Sequence, residues 1–139
     1  MACEWQTRAQ IAEMSDGGHR AVGCTTWAVP EGYIPRIADE AEASKQEAAC
    51  LLNTGDKDAT VRITVYFPDR DPAGPYHLLV AARRVAHVRF RDLREPERIP
   101  RGTDYVSVIE SDVPIVVQQS RRGSRLADEA LLSTIAYLQ

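Results

Sequence analysis

The sequence lacks most of the features that announce chemistry. Lysine is nearly missing: Lys45 and Lys57 are the only two, and every other basic side chain is arginine. Cysteine is scarce and odd in number. Cys3, Cys24 and Cys50 lie far apart without Cys-x-x-Cys spacing, which argues against a disulfide framework and against a zinc site. Cys24 and Cys50 fall in apolar runs and read as small core residues, and reduced thiols suit the cytoplasm. No apolar stretch approaches the ~20 residues a bilayer-spanning helix needs. The N-terminus has no apolar h-region of a signal peptide, so any membrane role is expected to run through a partner.

The catalytic templates fail for equally plain reasons. His19, His77 and His87 have no metal-ligand spacing. There is no glycine-rich phosphate loop and no Gly-x-Ser-x-Gly elbow. Asp69-x-Asp71-x-Ala73-Gly74 begins like a calcium loop. It lacks an acceptor at its fifth position and carries Val80 where the closing glutamate belongs. No catalytic set, no metal site and no cofactor are therefore expected.

What is there is an ordinary globular composition, 44% hydrophobic and 27% charged over 139 residues. That suits one domain with a core large enough to stand without staples. The net charge of -3 is too mild for a dedicated nucleic-acid binder. Its distribution is uneven. Ten acids face five basic residues between Met1 and Asp58, whereas seven arginines crowd the stretch Arg83 to Arg101. A solvated face explains such a stretch; so does a guanidinium-lined surface for carboxylates, phosphates or sugar hydroxyls.

The hydrophobic periodicity is that of strands. Residues 1–23 form an N-terminal extension, helical over 1–14 or disordered, that Asp16-Gly17-Gly18 would end. From residue 24 to 139 the period is two. A strand over 24–29 is expected to break at Pro30-Glu31-Gly32-Tyr33-Ile34-Pro35, and the acidic, alanine-rich run 38–45 reads as a loop. Strands follow over 46–53 and 59–67, joined at Asn53-Thr54-Gly55-Asp56 as a hairpin. Val61, Ile63, Val65 and Phe67 share one face. After the proline-rich connection 68–75 come strands over 76–81 and 83–91, the latter with Ala86, Val88 and Phe90 inward. Strands over 104–111 and 114–121, joined through Asp112-Val113, and a last one over 131–137 complete the pattern. About eight short strands with Pro/Gly turns predict an all-β antiparallel sandwich. Tyr105, Ile109 or Val85, if they faced outward, would be hidden by self-association.

Candidate binding groups stand on these strands and their edges. His87 and Arg89 alternate on one face, about 7 Å apart. Arg84 lies on the same strand, and Gln118 and Arg121 on the strand 114–121. Together they offer directional hydrogen bonds to hydroxyls or a carboxylate. Glu31 is a polar candidate in the Pro30–Pro35 segment, and Trp27 and Tyr33 could supply a stacking wall. Each has a structural reading as well: Trp27 as core, His87 as a surface histidine, Arg84 as half of a surface ion pair.

The run Trp27-Ala28-Val29-Pro30-Glu31-Gly32-Tyr33-Ile34-Pro35 resembles the opening of the sensory rhodopsin transducer family. So do Gly74-Pro75-Tyr76, the stretch Ala82-Arg83-Arg84-x-x-His87-Val88-Arg89-Phe90-x-Asp92-Leu93, and Ile99-Pro100. Ser107-Val108-Ile109, Val113 to Gln118, Ser124-Arg125 and the tail Ala130 to Tyr137 continue the resemblance, which covers roughly residues 24–137. It implies a small β-sandwich assembled as a homotetramer in the cytoplasm, whose namesake docks on a membrane photoreceptor. Other members look like sugar-binding proteins, and DNA binding has been suggested in the family. No catalytic residues are carried over.

The sequence thus supports a non-enzymatic transducer that binds the basic cytoplasmic face of a membrane photoreceptor, its acidic first half being charge-suited to such loops. The alternative is a small module for a sugar or sugar acid, held by Trp27, Glu31, Tyr33, Arg84, His87, Gln118 and Arg121. A sugar isomerase or mutarotase with His87 or Glu31 as acid/base is a third reading. The mild net acidity counts against nucleic acid as a partner.

Overall fold

The computed structural model describes residues 20–34, 36, 48–123, 130–135 and 137–138, with side chains described at 20–30, 32–34, 36 and 48–119. The helix expected over residues 1–14 and the acidic loop 38–45 lie outside the described residues.

The alternation of sequence becomes alternation of burial. The strands are β1 (Cys24–Tyr33), β2 (Ala48–Asn53), β3 (Ala59–Tyr66), β4 (Ala73–Val80), β5 (Arg84–Arg89), β6 (Asp104–Gly123), β7 (Ala130–Ile135) and β8 (Tyr137–Leu138). A 3-10 turn at Phe90–Asp92 follows β5. In β3, Ala59, Val61, Ile63 and Val65 are fully buried while Thr60, Arg62 and Tyr66 are exposed. A strand presents successive side chains to opposite faces, so one apolar stripe faces the core and one polar stripe faces water. Burying a large apolar side chain contributes roughly 1.5–3 kcal/mol, and Leu51, Ile63, Ile109 and Ile115 are all fully buried.

Every strand pair is antiparallel, as an all-β fold with short connections requires. The path β4-β3-β6-β1-β8 forms one layer. β5, β2 and β7 join the far half of β6 to form the other. The two layers meet through the core, where the rings of Phe90, just after β5, and Tyr105, at the start of β6, stand 5.6 Å apart.

β6 is where the sequence misleads most. It is one strand of 20 residues and not two. Its residues 106–111 pair with β3 and its residues 116–120 with β2. Opposite β1 the register jumps from Thr26↔Glu110 to Cys24↔Ile115, so residues 111–114 bulge out at the point where β6 passes from one layer to the other. Pro114 sits in that bulge, where its missing N–H takes nothing from a ladder. The Trp27 indole Nε1 donates to the carbonyls of Cys24 at 3.1 Å and Ile115 at 3.0 Å, fastening the corner. Gly23, at φ 111, lies so close that a Cβ would meet the Ile115 carbonyl oxygen.

Other sequence expectations are corrected for related reasons. β1 does not end at Val29; it continues through Pro30 to Tyr33 by a register shift between Val29 and Gly32 that absorbs the proline. β4 starts at Ala73, inside the proline-rich segment, because it is the edge strand and Pro75 there need not donate. β2 and β3 are not a hairpin: β2 pairs with β5 and β6, β3 with β4 and β6. The turn between them passes from one layer to the other at the surface, held by buried Asn53. Its Nδ2 donates to the carbonyls of Lys57 and Val80, and its Oδ1 accepts from the Gly55 N–H. Tyr105 and Ile109 point inward, 2% and 0% exposed, and only Val85 of that trio faces out. Cys24 is disulfide-bonded, against expectation, and Cys50 is a free thiol.

Candidate functional site

Strand pairing decides which candidate residues meet. On β2 the odd positions Ala49, Leu51 and Asn53 are buried. Cys50 and Leu52 therefore lie on the outer face, and each has a neighbour on both sides. Cys50 stands opposite His87 on β5 and Gln118 on β6; Leu52 stands opposite Val85 and Val116. Ala48 completes the face, between Arg89 and Ser120. His87 and Gln118, 31 positions apart in sequence, are thus brought into one row, about 10 Å apart across the intervening strand. Both are exposed. Next to this row runs an apolar one, with Val85 52% and Leu52 38% exposed.

Arg84 does not join them. It lies three positions before His87, opposite Asn53, and so on the other side of the strand. Its Nη1 donates to the neighbouring Arg83 carbonyl at 2.9 Å. Arg83 itself adopts φ 57, its N–H donates to the Gly55 carbonyl, and its guanidinium lies 3.4 Å from Asp56. Trp27 is taken up by the core, 6% exposed, with its one donor shared between two buried carbonyls. Glu31 lies in the register shift of β1, and Arg121 pairs with Leu132 on β7; their side chains are outside those described.

Tyr33 belongs to a different place. It lines an open concavity of about 840 Å³ with Tyr66, Phe67, Asp104, Tyr105 and Val106. Three strands build it. Tyr33 stands opposite Asp104, and Gly32 opposite Tyr105, across β1 and β6; Tyr66 stands opposite Val106 across β3 and β6. Tyr66 is 46% and Val106 40% exposed, while the Tyr105 ring closes the floor over Gly32. The Arg70 guanidinium carbon lies 5.5 Å from the centre of the Phe67 ring, a cation–π contact. Of these groups the sequence offers Tyr33 alone as a binding residue, and Tyr105 only as a candidate for self-association. Alternation placed Tyr66 on an outward face, but nothing local says that strands 59–66 and 24–33 both flank the start of β6.

Tyr76 ionises outside the ordinary range of a tyrosine. Burial first, and then the negative charge of Glu97, push its phenol above the usual tyrosine value. Its hydroxyl donates to the Glu97 carbonyl at 2.7 Å. This is a packing arrangement and does not reach either surface described above.

The family model described as Anabaena sensory rhodopsin transducer matches residues 22–138. Among solved structures, the Anabaena sensory rhodopsin transducer is 52% identical over 71% of this chain and 97% of its own, with a TM-score of 0.63. A Thermotoga maritima protein, 1070, is 32% identical over 84% of this chain and 96% of its own, with a TM-score of 0.71. No curated protein matches.

Proposed function

The chain belongs to the Anabaena sensory rhodopsin transducer family, and on that premise we propose that it is a non-enzymatic binding protein that couples a membrane receptor to a downstream response. The observation that carries this reading is the match to that transducer at 52% identity over nearly its whole length. The surface agrees with a binding role: the Val85–Leu52–Val116 row and the Tyr33–Tyr66 concavity are apolar ground on otherwise polar faces, the usual mark of contact with another molecule. We place the protein in the cytoplasm as a homotetramer, in keeping with the family resemblance. Among the described residues no helix is long and apolar enough to cross a membrane. The test is sedimentation with nanodiscs bearing a microbial sensory rhodopsin. Saturable association, absent from empty nanodiscs, is expected; equal binding to both would overturn the proposal.

A second reading is a small carbohydrate-binding protein. It is favoured by the row that places His87 and Gln118 on either side of Cys50, two directional hydrogen-bonding groups on one exposed face. Calorimetry with a panel of neutral sugars and sugar acids decides it, with heat lost in His87→Ala and Gln118→Ala. A sugar isomerase would need a general acid/base with a partner. The nearest described cross-strand neighbours of His87 are Cys50 and then Gln118, neither of which is a carboxylate.

A further inference from the structure

The aromatic concavity, counted above only as apolar ground, has a chemistry of its own. Tyr33, Tyr66, Phe67 and Val106 line it, with the buried Tyr105 beneath them. Among the described residues that line it, the only charged side chain is Asp104, which is exposed. The electron-rich faces of aromatic rings attract cations and are indifferent or repellent to anions. A carboxylate beside them adds to that preference. A volume of about 840 Å³ falls in the range of small-ligand sites.

The protein also shows the interaction in progress. The guanidinium of Arg70 stands 5.5 Å from the centre of the Phe67 ring, and Arg70 Nε lies 3.7 Å from the Asp69 carboxylate. A planar cation is therefore already held on one lining ring with a carboxylate as its second partner. The Tyr33–Asp104 pair, opposite each other on β1 and β6, repeats the same combination of ring and carboxylate with room for another cation.

We propose that this concavity is a site for an organic cation, a guanidinium or alkylammonium group, seated on Tyr33, Tyr66 and Phe67 with Asp104 as its counter-charge. The same chemistry could reach it as a free small molecule or as an arginine side chain of another protein. It excludes sugar acids from this place, since they would meet Asp104 and the ring faces with the wrong sign. The site stands apart from the His87–Gln118 face.

The experiment is calorimetry on the full chain with choline, L-argininamide and an end-blocked Gly-Arg-Gly peptide. The controls are 3,3-dimethylbutan-1-ol, the uncharged isostere of choline, and glucuronate. Saturable binding of the cations is expected, at least tenfold tighter than the neutral alcohol, with no heat from glucuronate. Binding by choline and argininamide identifies a free ligand; binding by the peptide alone identifies a protein segment. Asp104→Asn should weaken the cation about fivefold, and Tyr66→Ala, at an exposed position, at least as much. Arg70→Ala should leave the affinity unchanged or tighten it by freeing the Phe67 face. The proposal fails if no cation binds, if the alcohol binds as well as choline, or if Arg70→Ala abolishes binding while Asp104→Asn does not.

Discussion

Tyr76 shows how a single side chain can tie stability to pH without taking part in binding. Its hydroxyl donates to the Glu97 carbonyl, and burial with the nearby Glu97 charge raises its pKa. A raised phenol pKa means that the folded protein holds the proton more tightly than the unfolded chain. The associated stability is whole below the unfolded tyrosine value and is lost as pH climbs past about 10. Tyr76→Phe should therefore cost about 1 kcal/mol near neutrality, through the lost hydrogen bond, and should flatten the decline in stability above pH 10. Urea unfolding at pH 7 and pH 10.5 checks it; an identical pH slope in both proteins would show that other groups govern the alkaline limb. The aromatic character of Tyr76 was legible in the sequence, but its partner lies 21 residues on, in a loop whose path no local pattern predicts. Trp27 makes the same point. Its place in an alternating strand suggested core before platform, and only the approach of Ile115, 88 residues away, made it a fastener of the corner.

At the scale of elements, alternation was read correctly on β3 and β5, but not on β2, where Cys50 was taken as core and Ala49, Leu51 and Asn53 are the buried positions. The inward Val61-Ile63-Val65 stripe of β3 and the inward Val88 with outward His87 of β5 are what period two predicts. The other errors fall where a strand changes layer or bends. Pro30 and Pro75 were taken as interruptions and Pro114 as the start of a new strand, yet each lies within a strand at a register shift, a sheet edge or a bulge. Proline breaks a ladder only where its N–H would have donated, and pairing partners cannot be read from the strand itself. β1 carries a sharper constraint at Gly32. A Cβ there would come within 2.1 Å of the Tyr105 ring, which is 2% exposed and packed on Phe90. Gly32→Ala should destabilise the protein by about 1–3 kcal/mol, as overpacking of a core contact does, and should displace the floor of the aromatic concavity. Thermal unfolding gives the first effect. A melting temperature equal to the parent's would mean that the ring yields freely.

For the whole molecule, the decisive feature is that β6 belongs to both layers. β3 and β1 hold its first half, β2 and β7 its second, so neither layer can open without withdrawing a central strand from the other. Unfolding in guanidinium should accordingly be a single cooperative transition, coincident by far-UV and near-UV circular dichroism. Two separated midpoints would indicate layers that melt independently. The shared strand also positions the two candidate surfaces: its second half carries Gln118, one strand away from His87 across β2, and Tyr33, Tyr66 and Asp104 gather around its start. Composition and period were enough to determine an all-β antiparallel chain, its inward stripes and, through ordered motifs from Trp27 to Tyr137, its resemblance to the transducer family. These are properties of consecutive residues, which a strand's geometry converts directly into burial. Which strands are neighbours, which of the seven candidate side chains share a face, and where aromatic rings gather beside a carboxylate were decided by tertiary structure alone. Each depends on contacts between segments tens of residues apart, and the energy that selects them lies in the packing of the two layers and in no single stretch of chain.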